Sequence, residues 1–262
     1  MAVPNYLGSS YRYLCTPTGV DVAAALTAIG TELVASGWTD NTGNSYTSPV
    51  DAVGRFITAN FLRESAQTLS LEVFDQLGQS LLQREARIDV TAGVNNLAHI
   101  FTGQFHVHIE FQLPNGTGEF LCGGILDLSP EAQDAHTKWA YGGGTRANGG
   151  TVNGDGPHYL NMYGSGSASN TTRIIQYENS GIGGALIYTK AGNYMFHPRE
   201  VFCTTATVTM AYCGRTYQSV LVTARFNSYS KIKIPIDGST LGTFLVSGMT
   251  SRYGLTLAIR IA

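Results

Sequence analysis

Apolar residues near the start of the chain recur at steps of three and four. Because residues three or four apart share a helical face, this spacing predicts an amphipathic helix over residues 20–35. Its apolar face would consist of Val22, Leu26, Ile29 and Leu33. Thr18 and Asp21 resemble a shortened capping box, and Gly37 supplies a stop before Trp38. A single apolar stripe indicates that the helix lies against a sheet.

After this helix the apolar period changes to two, which is typical of half-buried strands. The alternating segments are residues 55–63, 68–74, 80–90, 98–113 and 119–126. Asp75-Gln-Leu-Gly78 has the turn chemistry to join the second and third segments into a hairpin. Residues 114–118 separate the last two, and residues 129–139 are predicted to form a short helical or turn segment.

The last third of the chain again alternates in short segments. They are residues 173–177, 185–189, 194–197, 203–212, 218–226, 231–236 and 255–261. Turns such as Asp237-Gly238 punctuate them. Many short strands with few helices predict a mainly β fold, as an antiparallel sandwich or a jelly-roll-like arrangement.

A glycine-rich segment lies between the two β regions. Residues 142–166 contain nine glycines in 25 residues, and glycine raises the entropy lost on ordering. Apolar residues within 157–163 favour docking of this segment onto a surface. We therefore predict a scaffold of helix and β-sandwich over residues 1–140. A glycine-rich excursion and a second β region would follow over residues 141–262, and a single domain is the alternative.

The chain is poor in charge. Charged residues make up 13% of its 262 residues, against about 25% in soluble globular proteins. Its surface is therefore expected to consist largely of uncharged polar and tyrosine side chains, which suit protein contacts.

The sequence also argues against binding of nucleic acid, a membrane-spanning segment and a signal peptide. A formal net charge of −2 provides no electrostatic footprint for nucleic acid. No window reaches the roughly 18 apolar residues of a membrane span. The first residues also lack the basic and apolar regions of a signal peptide.

The four cysteines are Cys15, Cys122, Cys203 and Cys213. They lack CxxC spacing and are too few for a disulfide-rich scaffold, which favours buried thiols. Cys203 and Cys213 are close enough in sequence to face each other across a hairpin. The sequence leaves open whether their geometry permits a bond.

The sharpest candidate site is Phe105-His-Val-His-Ile-Glu-Phe111. In a strand, His106, His108 and Glu110 point to one side of the sheet. Two imidazoles and a carboxylate suit a transition metal such as zinc, and a fourth ligand is available from His99, His136, His158 or His197. Polar alternation occurs in any half-buried strand, so we favour the solvent face of an amphipathic strand and predict no metal and no cofactor.

Other motifs fit ordinary turns better than binding sites. Asp40-Asn-Thr-Gly-Asn44 and Asn153-Gly-Asp-Gly156 lack the remaining ligands of a calcium loop. Gly142-Gly-Gly144 and Gly181-Ile-Gly-Gly184 lack the spacing of a phosphate loop.

No motif identifies a reaction. The chain has no GxSxG elbow. Asp127, Glu131 and Asp134 lie in one segment, whereas the carboxylates of a glycosidase usually converge from different strands. We therefore predict a protein that is not an enzyme and has no catalytic residues.

Four tyrosines stand beside polar turns and are candidates for stacking on a sugar or on a protein partner. They are Tyr141, Tyr159, Tyr163 and Tyr194. Positions in the core are the equal alternative for these rings.

Three runs of residues resemble virion structural proteins of tailed bacteriophages. They are Leu26-Thr-Ala-Ile-Gly-Thr-Glu-Leu-Val-Ala-Ser-Gly-Trp38, Gly54-Arg-Phe-Ile57 and Leu69-Ser-Leu-Glu-Val-Phe-Asp75. The resemblance is strongest over residues 1–90 and continues in the glycine-rich β composition that follows. It implies a component of the tail, baseplate, neck or capsid surface, present in several symmetric copies and without a cofactor.

The resemblance and the composition together predict a non-enzymatic virion protein, with the tail or baseplate as the favoured position. Its partners would be other virion proteins and copies of itself, and residues 142–166 would reach across an interface. One alternative is a β module that binds a receptor or a host-surface glycan. A capsid decoration protein and a metal- or carboxylate-dependent hydrolase are weaker alternatives.

Overall fold

A computed structural model describes the chain in the following ranges: residues 11–19, 21–52, 54–78, 86–90, 96–114, 116, 118–125, 140–144, 146–147, 159–163, 172–173, 198–204, 207–214, 217–223, 226–236, 240–250 and 255–262. Between residues 140 and 223 only the strands and their pairing are described. Several predictions lie outside these ranges, including the segment at 129–139 and the strand at 185–189.

The described residues form a mainly β fold with three antiparallel sheets and one helix, α1 (Ala23–Ala35). The strands in chain order are β1 (Arg12–Gly19), β2 (Thr39–Asp40), β3 (Ser45–Thr47), β4 (Ile57–Arg63), β5 (Thr68–Asp75), β6 (Ala86–Asp89), β7 (Asn96–Gly103), β8 (His106–Gln112), β9 (Gly118–Ile125), β10 (Ala140–Gly144), β11 (Arg146–Ala147), β12 (Tyr159–Tyr163), β13 (Thr172–Arg173), β14 (Pro198–Thr204), β15 (Thr207–Gly214), β16 (Tyr217–Thr223), β17 (Lys231–Ile236), β18 (Thr240–Thr250) and β19 (Leu255–Arg260).

Each sheet has a continuous strand order. The N-terminal sheet has the order β11-β6-β5-β4-β3-β2. The central sheet has the order β1-β7-β8-β9-β10-β12-β13. The C-terminal sheet has the order β14-β15-β16-β19-β18-β17. Antiparallel sheets in layers are consistent with a β-sandwich.

The helix packs through its predicted face. Val22, Leu26, Ile29 and Leu33 are all buried. Asp21 accepts a hydrogen bond from the Ala23 N–H at 2.8 Å, and Gly37 ends the helix with a φ of 97°. The predicted role of Thr18 in a capping box is wrong, because Thr18 belongs to β1 and donates to the Asn96 carbonyl at 3.2 Å.

Two segments predicted as single strands each contain parts of two antiparallel strands. Residues 203–212 include the end of β14 and the start of β15. The single strand expected over residues 98–113 is wrong, because a turn at Gln104 and Phe105 separates β7 from β8. Gly103 and His106 close this turn as direct cross-strand partners. The apolar alternation continues through it without the Asn-Gly signal that would mark a two-residue hairpin.

The sheets also cross the boundary predicted at residue 140. The expected end of the β region before residue 142 is wrong, because β10 pairs with β9 and places Gly142 opposite Gly123. Beyond it, β12 pairs with β10, and β11 pairs with β6 of the N-terminal sheet. Backbone pairing needs no side chains, so a run of glycines is able to extend a sheet.

The register also separates Cys203 from Cys213. Cys203 lies opposite Val208 in the pairing of β14 with β15. Cys213 lies five residues further along β15, roughly 16 Å away, and is paired with Gln218. The two cysteines therefore do not face each other across the hairpin.

The two faces of the central sheet have different neighbours. Directly opposite residues share a face, so Thr102 and Val107 lie on one face while Phe101 and His108 lie on the other. The first face meets α1, since the hydroxyls of Thr102 and Ser36 are 2.7 Å apart. The same face meets the N-terminal sheet, where the Asp89 N–H donates to Glu119 at 2.8 Å. The site described below lies on the second face.

Substitution of Gly30 by Ala tests the packing of α1. A Cβ at this position would overlap the Tyr46 hydroxyl. We therefore expect Gly30→Ala to lower the free energy of unfolding by about 1–3 kcal/mol, although Ala has the higher helix propensity. Urea denaturation measures this change. Adding Tyr46→Phe should recover part of the loss, and a stabilised Gly30→Ala protein would contradict the packing.

Candidate functional site

The polar face of β8 is buried. His106, His108 and Glu110 are 2%, 4% and 0% exposed. The solvent face predicted for these residues is therefore wrong. The C-terminal sheet contacts this face, because Ser247 and Gly248 of β18 hydrogen-bond to Glu110.

Glu110 is the centre of this contact. Its Oε1 accepts hydrogen bonds from the Ser247 hydroxyl and from His108 Nε2, the latter at 3.5 Å. Its Oε2 accepts a bond from the Gly248 N–H at 3.1 Å. Burial alone would raise the pKa of Glu110, but the hydrogen bonds from His108, Ser247 and Gly248 outweigh burial and lower it. The carboxylate is thus held in its charged form between two sheets.

A β-bulge in β18 directs its backbone toward this carboxylate. The pairing of β18 with β19 advances from Val246–Ala258 to Thr250–Thr256, so β18 contains two residues more than its partner over this interval. Bulges remove backbone groups from the ladder and redirect side chains. Ser247 and Gly248 lie in the bulge, which frees the Gly248 N–H to donate to Glu110.

Tyr229 inserts between the same two sheets. A Cβ at Gly118 of β9 or at Gly248 of β18 would overlap its side chain. The Tyr229 ring stacks on His99, with centroids 5.0 Å apart and an interplanar angle of 12°. The backbone of Tyr229 has a φ of 61°, which is unusual for a bulky residue. Burial, followed by the charge of Glu110, raises the pKa of Tyr229.

His99 is held as a neutral imidazole. Its Nδ1 lies 3.0 Å from the Tyr13 hydroxyl, and its Nε2 lies 3.1 Å from Oε1 of Gln112. A tautomer with the proton on Nε2 donates to Gln112 and accepts from Tyr13, so both bonds form without a charge. Burial lowers the pKa of His99.

The other two histidines pack against aromatic rings. The His108 ring stacks on Phe120 with centroids 5.7 Å apart. The His106 ring lies 6.1 Å from the Tyr11 ring, and the Tyr11 hydroxyl donates to the Arg260 carbonyl of β19. Burial lowers the pKa of His106 to about 3. We call the contact made by Tyr11, His106, Glu110, Tyr229 and Ser247 the inter-sheet contact.

The inter-sheet contact differs from a metal centre. Within the described ranges, no three His, Cys, Asp or Glu side chains are arranged to hold a metal ion. Glu110 is occupied by donors from β18, and His99 is engaged with Tyr13 and Gln112. The proposed fourth ligands His136, His158 and His197 lie outside the described residues.

The turn predicted at residues 142–144 is wrong, because these glycines belong to β10. Residues 40–44 form a turn in which the Thr42 N–H donates to Asp40 Oδ1 at 2.7 Å, as expected of ordinary turn chemistry. The second oxygen-rich turn, at 153–156, and the glycine run at 181–184 lie outside the described residues, as do Asp127, Glu131, Asp134 and Tyr194. Only strand pairing is described for Tyr141, Tyr159 and Tyr163.

Several residues of the inter-sheet contact were missed by the sequence analysis. Tyr11 and Tyr13 lie in a region for which no strand was predicted, and so do Ser247 and Gly248. The Tyr229 position follows residues 218–226 but carries no motif. A pattern within one strand cannot identify partners more than 100 positions away, and Glu110 and Ser247 are separated by 137 positions.

All of these titratable groups are largely shielded from water. In this conformation the arrangement joins two sheets. The buried thiol predicted for Cys15 is wrong, because Cys15, which lies opposite His99 in the pairing of β1 with β7, is exposed. No protein-family model matches the chain, and no curated protein matches it. Among the described residues, no helix combines the length and the apolar character needed to cross a bilayer.

Removal of the Ser247 hydroxyl tests the environment of Glu110. Ser247→Ala should lower the free energy of unfolding at pH 7 by about 1–3 kcal/mol, because a buried carboxylate loses a donor. Urea denaturation measures the change. The same substitution in a Glu110→Gln background should cost less, since the acceptor is then uncharged. Equal costs in both backgrounds would show that the two side chains are not coupled.

The two glycines around Tyr229 offer a matched pair of substitutions. Gly118→Ala and Gly248→Ala should both destabilise the protein. A Cβ at Gly118 meets Tyr229 only at its hydroxyl oxygen, whereas a Cβ at Gly248 also meets carbon atoms of the ring. Adding Tyr229→Phe should therefore restore stability to Gly118→Ala more than to Gly248→Ala. Thermal denaturation of the four variants measures this difference, and equal rescue would contradict the predicted position of the ring.

Proposed function

We propose that the protein is a non-enzymatic structural component of a tailed-phage virion. It would act through contacts with copies of itself and with other virion proteins, and the tail or baseplate is its favoured position. A sandwich or jelly-roll-like packing of the sheets is part of this proposal. The resemblance of the first 90 residues to virion proteins and the low charge content support it.

The outward face of α1 is the observation that carries the proposal of subunit contacts. This face has no charged side chain, and its exposed residues are Ala23, Ala24, Thr27, Thr31, Val34 and Ala35. The only charged residue of the helix, Glu32, is buried and pairs with Arg12 at 2.6 Å. Charge depletion of this kind is typical of the core of a protein interface.

The threonines of this face make it more apolar than its composition suggests. The Thr27 hydroxyl donates to the Ala23 carbonyl at 3.1 Å, and the Thr31 hydroxyl donates to the Thr27 carbonyl at 3.0 Å. With both hydroxyls bonded to the helix backbone, the methyl groups are left for outside contacts. Such a face suits close contact with another protein surface.

The inter-sheet contact supports a structural role in a different way. Its titratable groups join the central and C-terminal sheets, as the hydrogen bonds from Ser247 and Gly248 to Glu110 illustrate. A carboxylate used for catalysis would need access to a substrate. Glu110, at 0% exposure, instead contributes to the architecture.

A charge placed on the α1 face tests the proposed contacts. We expect the purified protein to be oligomeric, and Thr31→Lys to weaken the assembly at least about tenfold because a desolvated lysine would oppose it. Light scattering coupled to size exclusion measures the dissociation constant. Thr240→Lys is the matched control, since Thr240 is exposed at the start of β18 in the C-terminal sheet.

The place of the protein in a virion needs a separate measurement. Electron cryo-microscopy of purified particles should show several symmetric copies in the tail or baseplate. A protein that is monomeric in isolation and missing from the particles would overturn the proposal. An oligomer unaffected by Thr31→Lys would show that α1 is not the contact.

A further inference from the structure

In the described part of the chain, the three sheets have six edge strands, which differ in how they are protected. Open edges pair with other chains unless short strands, charges, prolines or bulges prevent it. β2, β11 and β13 are two residues long. β17 carries the exposed Lys231 and Lys233, and β14 begins at Pro198 with a bulge beside it. β1 is the sixth edge strand and has eight residues.

The middle of β1 has none of these protective features. Residues 13–16 are Tyr-Leu-Cys-Thr. The one charged residue of the strand, Arg12, stands at its first position and pairs with Glu32 of α1 at 2.6 Å. Pro17 and the bulge beside it lie toward the other end. Among the described strands only β7 pairs with β1, so an uncharged stretch lies at this edge.

The pairing of β7 shows which backbone groups of β1 point away from the sheet. Gly103 and His106 flank a two-residue turn, so their backbone groups bond to each other. The direction of these groups alternates along an antiparallel strand, so those of Ile100, three residues before Gly103, face β1. Leu14 lies opposite Ile100, and its backbone groups therefore point toward β7.

Tyr13, Cys15 and Pro17 alternate with Leu14, so their backbone groups point away from β7. The position of Pro17 agrees with this direction, because a proline lacks an N–H and is tolerated where that side of an edge strand faces outward. The N–H and C=O groups of Tyr13 and Cys15 are thus presented together at the edge of the central sheet.

We propose that β1 pairs antiparallel with β1 of a second copy of the chain, so that two central sheets become continuous across a twofold axis. This pairing rests on the contact between copies in the proposed function and specifies its geometry. An axis beside Leu14 places Tyr13 of each copy opposite Cys15 of the other. Each such pair exchanges an N–H···O=C bond in both directions, so all four groups of the two residues are bonded.

Other registers use these groups less fully. An axis beside Cys15 would set Tyr13 opposite Pro17, which has no N–H to return. An axis beside Tyr13 would set Cys15 opposite Tyr11, which precedes β1. The register centred on Leu14 is therefore the one that the strand itself favours.

The side chains fit the same register. Leu14 would meet Leu14 of the second copy at a position without hydrogen bonds, where Cα atoms are about 4.5 Å apart. Leu14 already packs against the apolar core, so a second leucine extends that layer. Arg12 would stand opposite Thr16, and no like charges would face each other across the axis.

The axis would also bring the two helices together. α1 lies over β1 and β7, since Glu32 pairs with Arg12 and the hydroxyls of Ser36 and Thr102 are 2.7 Å apart. Neighbouring strands are about 4.8 Å apart, which sets the two copies of α1 about 10 Å apart. Helices that pack against each other are separated by roughly 8–10 Å. The uncharged outer face of α1 would thus adjoin the paired strands.

Cross-linking at position 14 tests the register. In the full-length protein carrying Cys15→Ser, Leu14→Cys would place two thiols on Cα atoms about 4.5 Å apart, within reach of a disulfide. Thr16→Cys in the same background is the matched control, because the two copies of position 16 would be offset by roughly 13 Å along the strands. Oxidation in a glutathione buffer, followed by peptide mapping, measures both links. We expect position 14 to cross-link at least about tenfold faster.

Substitution of Cys15 by proline tests the hydrogen bonds. The lost N–H points outward, so the ladder between β1 and β7 is kept, as it is at Pro17. Cys15→Pro should weaken the dissociation constant of the dimer at least about tenfold, because each copy loses a donor. Cys15→Ser keeps the N–H and should leave the constant within about twofold. Sedimentation equilibrium measures both, and circular dichroism checks the fold.

Three results would overturn the pairing. They are a protein that stays monomeric, an oligomer that links no faster at position 14 than at position 16, and a folded Cys15→Pro protein with an unchanged dissociation constant. If Cys15→Pro does not fold, the cross-linking decides. An oligomer without the link at position 14 leaves the virion role standing, whereas a linked dimer that is missing from virion particles supports the pairing and overturns the role.

Discussion

The carboxylate of Glu110 is buried between two sheets, and the positions of several neighbouring groups depend on it. A buried charge is tolerated only when donors replace its water shell. Two of those donors come from the bulge in β18, so the irregular pairing of β18 with β19 is tied to a residue of β8. The bulge and Gly248 also leave room for the Tyr229 ring. The packing of the C-terminal sheet therefore depends on a polar interaction as well as on apolar burial.

This arrangement makes β8 a strand that is buried on both sides and yet alternates in polarity. Its apolar side chains pack toward α1 and the N-terminal sheet, as Ile109 does at 0% exposure. Among its polar side chains, Glu110 accepts hydrogen bonds from the Ser247 hydroxyl and the Gly248 N–H of the C-terminal sheet. His106 and His108 contact the rings of Tyr11 and Phe120. The two interfaces of the central sheet are therefore stabilised differently. Hydrogen bonds to a charged group respond to protonation, whereas apolar contacts do not.

Local patterns predicted the elements better than their surroundings. The period of two located β5 and β17 to within one residue of their observed bounds. It could not show that residues 98–113 contain a hairpin, because Gln104 and Phe105 preserve the alternation and lack a strong turn signal. It also placed Glu110 in solvent, since a polar residue facing a second polar layer has the same sequence pattern as one facing water. The partners that distinguish these cases, Ser247 and Tyr229, are more than 100 positions away.

The low charge content of the chain becomes more pronounced at its surface because some carboxylates are placed inside. Glu32, Glu110 and Glu119 are buried at 8%, 0% and 7% exposure. Glu32 would otherwise stand on α1, whose outward residues are Ala, Thr and Val. Its turn inward to Arg12 gives that helix an uncharged outer face. The chain has only 18 acidic residues. Because several of them are buried in contacts between layers, the outer surface of α1 stays uncharged and is suited to contacts with other molecules.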